Sequence, residues 1–447
     1  MNRLRTASRW FYAFLFGEDS LDRACRDIPE SSCHEQRFNF TLNVANGAST
    51  KLAEQVAGPN LVLVWLLQVI GSPLWMLGFL MPIKQTASLL PQMVAAGQIR
   101  QLAVRKWVWT VAALVQTVCL LGILAAALLL PPAWAGGMIL LLFTLFCMAS
   151  GTASVAFQDV LGKTIAKGRR GKLLASRALI GGVLTLLVGA GLSRLKGVAE
   201  PLVVIQWLLI AGAVLWAIGA LLFAAIREDA GATEGARSPV SEIRHGAQFF
   251  VRYPGFRRFL FARALLLCIE LAPPFYFMHV NSLWAVQGSD VGFLVAAVGF
   301  SQLVSSPFWG RMADETSRRV MFYSAAIATL AGVLALLLSW VPSHALQKGA
   351  YLLVFILIGL ADSGVRLGRK TYMVDAVPPA ERATFAALTN SVVGVLALLF
   401  GVLGLIAQSF GVLTLIALLA VLTAVAACLC RIMPEAEQML DGDTNAA

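Results

Sequence analysis

Several charged side chains lie within long apolar stretches of this 447-residue sequence. A charge at the middle of a membrane costs at least about 2.5–3.5 kcal/mol, so it usually faces a water-filled cavity and takes part in function. In the first stretch, Lys51 and Glu54 are three residues apart, close enough on a helix to form an ion pair. Asn43 and Asn46 fall on the same narrow arc of that helix. We expect this polar stripe to face water or a ligand.

The uncharged members of the stripe have an alternative explanation, because small polar side chains also join neighbouring helices inside membranes. That explanation covers Asn43 and Asn46 but not Lys51 and Glu54. Glu54 is therefore expected to bind the solute or a coupling ion.

Two further apolar stretches contain ionisable residues. Lys84 and Gln85 lie in the second stretch, and Lys84 is too far from either end to reach the membrane surface easily. Arg263 and Glu270 share one face of the seventh stretch. We predict that these residues bind the substrate or a coupling ion. A purely structural ion pair between Arg263 and Glu270 is the alternative.

The composition places the chain among integral membrane proteins. It is 58% hydrophobic and 13% charged, whereas soluble domains are about a quarter charged. The net charge of +11 falls in short loops between apolar runs, which favours contact with lipid headgroups over binding of nucleic acid. A spanning helix needs about 20 apolar residues, and we predict twelve: 38–66, 73–96, 107–130, 134–158, 173–194, 201–226, 257–284, 291–310, 320–341, 349–368, 384–407 and 410–430.

The distribution of basic residues orients these spans. Most of the 35 Lys and Arg residues fall in loops that share one side of the membrane if both termini are cytoplasmic. We therefore predict an all-α, multi-pass protein of the bacterial inner membrane. The predicted parts are a cytoplasmic tail with a short interfacial helix (1–37), a six-helix bundle (38–226), a cytoplasmic linker (227–256), a second six-helix bundle (257–430) and a cytoplasmic tail (431–447).

One loop motif occurs twice, each time between two apolar stretches. The intact copy contains Gly310, Asp314, Arg318 and Arg319, and the degenerate copy contains Gly97, Gln101, Arg105 and Lys106. The intact copy resembles the signature loop of the major facilitator superfamily, Gly-x-x-x-Asp-x-x-Gly-Arg-Arg/Lys, with Ser317 where glycine is usual. The resemblance implies twelve transmembrane helices in two pseudo-symmetric six-helix bundles.

The charges of these loops could control a gate. Cations next to a carboxylate at a helix end form charge-assisted bonds across two helices, and bonds between the two halves would hold one conformation. The predicted gate residues are Gly97, Arg105, Lys106, Asp159, Gly310, Asp314, Arg318, Arg319, Asp362 and Arg366. Two alternatives stay open, namely anchoring of the loops to anionic headgroups and a structural ion pair between Asp362 and Arg366.

The most favoured function is secondary active transport of a small organic solute by alternating access, by a monomer and without a cofactor. The sequence contains no nucleotide-binding motif, no catalytic pattern and no metal site, and Cys25 and Cys33 lack the spacing of a zinc site. Protons are the expected coupling ion, because Glu54 and Glu270 can bind and release them. The alternatives are a lipid or lysolipid flippase on the same fold, and a non-transporting sensor or assembly factor.

Overall fold

The computed structural model describes residues 30–194, 200–230, 250, 252–284, 286–377 and 382–439. The regular elements in these ranges are helices. The first eight are α1 Glu30–Val56, α2 Val62–Val69, α3 Leu74–Gly78, α4 Leu80–Arg100, α5 Lys106–Leu129, α6 Pro132–Thr164, α7 Lys167–Leu192 and α8 Pro201–Ala224.

The other eight helices follow the linker. They are α9 Pro254–Leu271, α10 Pro273–Leu283, α11 Gly288–Glu315, α12 Ser317–Leu337, α13 His344–Ala376, α14 Arg382–Leu399, α15 Leu403–Phe410 and α16 Val412–Ile432. Single 3₁₀ turns cover Leu338–Trp340, Phe400–Val402 and Ala436–Gln438. Four of the sixteen helices start with proline, which has no N–H to leave unpaired in a first turn.

Proline also divides the first and seventh apolar stretches, as the sequence predicts. Helix α1 ends just before Gly58 and Pro59, and α2 starts three residues after that proline. Ala272 separates α9 from α10, which begins at Pro273. A proline inside a helix removes one backbone hydrogen bond and displaces the carbonyl four residues earlier. Both breaks therefore leave helix ends inside the bundle.

Ten helices in the described ranges are long and apolar enough to cross a membrane, from Lys106–Leu129 to Val412–Ile432. This confirms the prediction of an all-α membrane protein. The predicted spans 38–66 and 73–96 are not among the ten, since the first is broken and the second is made more polar by Lys84 and Gln85. The count of twelve spans and the cytoplasmic termini stay predictions.

The helices pack mainly with others of their own half. In the first half, α5 and α6 pack together and α1 packs on α7 and α8; in the second, α12 packs on α13 and α16. The halves meet where α7 lies against α11, and where α3 and α4 lie against α15 and α14. The two contacts would be exchanged by a two-fold axis relating the halves. The predicted segments 1–37 and 227–256 fall largely outside the described residues, and the predicted tail 431–447 is described as far as residue 439.

Glycines bring the halves together on one side. We call the side where α4 and α8 end the linker side, and the opposite side, where α7 ends and α11 begins, the far side. A Cβ at Gly189 would lie 2.4 Å from the backbone N of Ala296, and one at Gly78 would lie 2.4 Å from Cα of Gly404. Such approaches of two backbones exclude any side chain. The halves are therefore in direct backbone contact towards the far side.

We predict that Gly189→Leu destabilises this closed far side by about 1–3 kcal/mol, because the added side chain overlaps backbone that cannot rotate away. The measurement is the melting temperature of the purified protein. Gly191→Leu is the matched control on the same helix, since a Cβ there meets nothing within 4 Å. Equal melting temperatures for the two variants would contradict the packing described.

Candidate functional site

The two helix breaks position two acidic side chains. Glu54 lies in the last turn of α1, and Glu270 lies in the last turn of α9. The carbonyl groups at a helix C terminus favour a nearby cation, and each acid has one. Lys51 Nζ is 3.8 Å from Glu54 Oε2, and Arg369 Nη1 is 2.7 Å from Glu270 Oε1.

A cavity of about 280 Å³ lies between the two halves. Its walls come from the end of α1, from α4 and α7 of the first half, and from α10, α11 and α13 of the second. They are formed by Lys51, Glu54, Gln55, Asn60, Lys84, Ala178, Pro273, Val298, Ser301, Gln302, Ser305, Trp309, Phe355, Ile358, Gly359, Asp362, Ser363, Arg366 and Leu367. A polar cavity of this size suits a small solute.

Three of the predicted binding residues, Lys51, Glu54 and Lys84, line this central cavity. Gln85 and Glu270 do not line it. They bind each other instead, with Gln85 Nε2 donating to Glu270 Oε2. The bond joins α4 of the first half to α9 of the second, and Glu270 is 2% exposed. Glu270 therefore belongs to the contact between the halves rather than to the cavity wall.

Asn43 and Asn46 lie elsewhere, and neither of them lines the central cavity. Both are fully buried. Asn46 Nδ2 donates to the carbonyl of Gly219 on α8 at 2.9 Å, and Arg177 Nη1 on α7 donates to Asn43 Oδ1 at 3.3 Å. Inside a membrane, a side-chain amide commonly forms hydrogen bonds with a neighbouring helix. The alternative of helix joining thus applies to this end of the stripe.

Arg263 is likewise outside the cavity wall. Its Nη2 donates to Asn390 Oδ1 on α14 at 2.9 Å. The alternative expectation of an Arg263–Glu270 ion pair is wrong, because Arg369 occupies that carboxylate.

Asp362 and Arg366 form the structural ion pair expected from their spacing, with Arg366 Nη2 2.6 Å from Asp362 Oδ2. Both also line the central cavity. The sequence suggested them as gate residues, and their position along α13 alone does not reveal that the cavity reaches them. They add one acid and one cation to the wall.

Comparisons with known proteins agree with this architecture. Residues 266–444 match the family model described as Major Facilitator Superfamily. Across 88–89% of the chain, the fold superposes on a D-xylose-proton symporter (TM-score 0.66, 13% identity, 98% of that chain) and on the nucleoside transporter NupG (TM-score 0.64, 15% identity, 99% of that chain). Residues 266–444 thus resemble the major facilitator superfamily, and the fold of the chain is that of these solved transporters. The predicted resemblance is confirmed.

A mycobacterial relative was also found. It is the uncharacterized protein Rv2209 of Mycobacterium tuberculosis (strain ATCC 25618 / H37Rv), 27% identical over 315 residues. The match covers 68% of this chain and 58% of the relative. The chain thus matches little more than half of the relative's length.

The degenerate loop copy has no acid of its own at position 101, and an acid from elsewhere in the chain lies beside it. The carboxylate of Glu228, which follows α8, accepts hydrogen bonds from the backbone N–H groups of Arg105 and Lys106 at 2.7–3.0 Å. Lys163 Nζ adds an ion pair at 2.8 Å, and the Glu228 side chain is fully buried. An anion is stabilised at a helix N terminus such as that of α5. Glu228 therefore supplies the negative charge that is missing at Gln101.

Both loops are tied to the last long helix of their own half. Lys106 Nζ donates to the carbonyls of Ala224 and Ile226 at the end of α8. In the intact copy, Arg318 Nη1 donates to the carbonyls of Arg431 and Met433 at the end of α16. Cations commonly bind these unpaired carbonyls. The copies thus share one structural role.

The remaining ion pairs of the loops also stay within one half. Arg105 Nη1 lies 3.1 Å from Asp159 Oδ2 of the same half. Arg318 Nη2 lies 2.5 Å from Glu435 Oε1. These two ion pairs join helices and loops of one half, and a latch between the halves stays a prediction.

The other gate residues add little in this structure. Arg319 is exposed, Gly310 has open space around it, and Gly97 lies within α4. The side chain of Asp314 falls outside the described part of the structure. The acids that sequence reasoning missed are Glu228 and Glu435. The signal was available, because each comes shortly after the last apolar stretch of its half.

We predict that Glu228→Gln lowers the free energy of unfolding by about 1–3 kcal/mol, since it removes the charge that Lys163 and the α5 N terminus share. Glu437→Gln is the control, because Glu437 is an exposed acid shortly after α16 and should change stability by less than about 0.5 kcal/mol. Thermal unfolding of both purified variants measures the difference. Indistinguishable melting temperatures would mean that Glu228 does not hold the loop.

Proposed function

We propose that this protein is a secondary active transporter that moves a small polar organic solute across a bacterial inner membrane by alternating access. The observation that carries the proposal is the charged cavity between the halves, towards whose far side the backbones of α7 and α11 touch. A site between two bodies that close on one side is what alternating access requires.

The contacts between the halves suit such a movement. Helix α7 meets α11 through Gly189 and Gly292, and α3 meets α15 through Gly78 and Gly404. These contacts hold few polar bonds, so they can separate without leaving unpaired charges in hydrocarbon. The Gln85–Glu270 bond is an exception between the halves, and it would have to break when they move apart.

Coupling to protons is part of the proposal. The sequence has no nucleotide-binding motif, which leaves an ion gradient as the energy source. Glu54 is the acid best placed for this role, because it lines the cavity in contact with Lys51. A proton on Glu54 would release Lys51 from its pair and change the charge that the solute meets. We propose a monomer with no partner other than solute, protons and lipid.

The two other functions are less well supported. A non-transporting sensor needs no solute cavity between the halves, so the cavity of about 280 Å³ counts against it. A lipid flippase has one observation in its favour, a largely apolar cavity of about 210 Å³ lined by Trp284, Phe293, Lys348 and neighbouring residues. That cavity shares no lining residue with the central one. Scrambling of labelled phospholipid by the purified protein would reveal a flippase.

We predict that Glu54→Gln abolishes accumulation driven by a pH gradient and leaves solute exchange intact. Glutamine keeps the shape of the side chain but cannot carry a proton across. The measurement uses proteoliposomes loaded with a solute that stabilises the purified protein in a thermal-shift screen, with accumulation and counterflow recorded separately.

Glu437→Gln serves again as the control, since it neutralises an exposed acid outside the cavity. Unchanged accumulation by Glu54→Gln would remove Glu54 from coupling. Loss of both accumulation and exchange would assign it to solute binding instead.

A further inference from the structure

The charges around the central cavity do not balance. Lys51 pairs with Glu54, and Arg366 pairs with Asp362. Lys84 also lines the cavity and forms no ion pair with any residue of the described ranges. Three cations against two carboxylates leave one positive charge, and a charge inside a membrane protein is costly unless something compensates it.

Two side-chain amides in the same cavity also lack partners. Asn60 Oδ1 and Gln302 Oε1 are buried and have no hydrogen-bond partner in the described chain. Asn60 lies at the break between α1 and α2, and Gln302 lies on α11, so the two amides come from opposite halves. Buried polar atoms are almost always hydrogen-bonded, and unpaired ones need an explanation. Both amides therefore point to a hydrogen-bonding ligand.

We propose that the solute is a small hydroxycarboxylate with one net negative charge, an inference that rests on the transporter function proposed above. Its carboxylate lies against Lys84, and its hydroxyl groups bind the amides of Asn60 and Gln302. A ligand held from both halves resists their separation until it is released. Trp309 and Phe355 provide the apolar wall against which its carbon skeleton packs.

The charges and the unpaired amides of the cavity favour a hydroxycarboxylate over an amino acid, a sugar or a fatty acid. An amino acid carries an ammonium group that would need a free carboxylate, and both acids of the wall are already paired. A sugar leaves Lys84 uncompensated, and a fatty acid leaves both amides unpaired. A site that hydrogen-bonds a substrate hydroxyl strongly rejects the analogue without it.

Binding to the full-length purified protein tests the class with three probes. Gluconate has the proposed charge and hydroxyl groups, glucose has the hydroxyl groups without the charge, and hexanoate has the charge without the hydroxyl groups. We expect gluconate to bind at least about tenfold more tightly than either of the others, as measured by thermal shift and titration calorimetry. Equal or tighter binding of glucose or hexanoate would overturn the proposal.

Variants assign the contacts. Lys84→Met should weaken gluconate binding by about tenfold or more and leave glucose binding unchanged. Gln302→Leu should weaken gluconate binding and leave hexanoate binding unchanged. Lys348→Met is the control, because Lys348 pairs with Asp290 outside the central cavity. Undiminished gluconate binding by Lys84→Met would overturn the assignment.

The melting temperature of Lys84→Met shows whether the variant folds. Lys84→Met removes an uncompensated charge and should melt no lower than the unaltered protein. Lys84→Gln provides a second variant if the methionine is not tolerated, and the same loss of gluconate binding is expected.

Different results would contradict the proposed solute class and the proposed transport function. Gluconate binding that depends on Lys84, without flux into proteoliposomes, would support the class and contradict transport. Uptake of glucose or hexanoate that is indifferent to Lys84→Met would support transport and contradict the class.

Discussion

A charge inside a membrane protein must be compensated, and this requirement organises the interior of the structure. Lys51 with Glu54, Arg366 with Asp362, and Arg369 with Glu270 are the three pairs that surround the space between the halves. At the ends of the helices, Glu228 forms an ion pair with Lys163 and Glu435 forms one with Arg318 of the intact basic loop. Lys84 has no carboxylate partner among the described residues, and unlike Arg263, which binds the Asn390 amide, it lies in the wall of the central cavity.

The cavity itself follows from backbone constraints. Proline ends α1 and α9 inside the bundle, so neither helix continues straight through the space between the halves. Glycine lets α7 touch α11 and α3 touch α15 towards the far side. The halves are thus closest where side chains are absent. They remain apart where Lys51, Lys84 and Arg366 require room and water or a ligand, which is why the polar residues and the cavity coincide.

The sequence alone predicted the membrane class and the resemblance to the superfamily, and three of the residues that it suggested for binding, Lys51, Glu54 and Lys84, line the central cavity. The sequence indicates these features because apolar length, loop charge and an ionisable residue within an apolar stretch are local properties of the chain. The choice of partner is not local. Asn43 and Asn46 share a stripe with Glu54 but bind α7 and α8, and Glu270 binds Gln85 and Arg369 rather than Arg263. Which helix lies beside each residue depends on packing between segments far apart in sequence, and spacing does not encode it.

We propose that the solute passes through the cavity between the halves, and a bulky residue placed in that cavity should block it. Ser363 lines the cavity, and Leu353 lies on the exposed face of the same helix. The measurement is counterflow of gluconate in proteoliposomes containing Ser363→Trp, with Leu353→Trp as the control at equal protein content and equal melting temperature. Ser363→Trp is expected to abolish counterflow, and Leu353→Trp is expected to retain it. Full counterflow in the Ser363→Trp protein would contradict a route through this cavity.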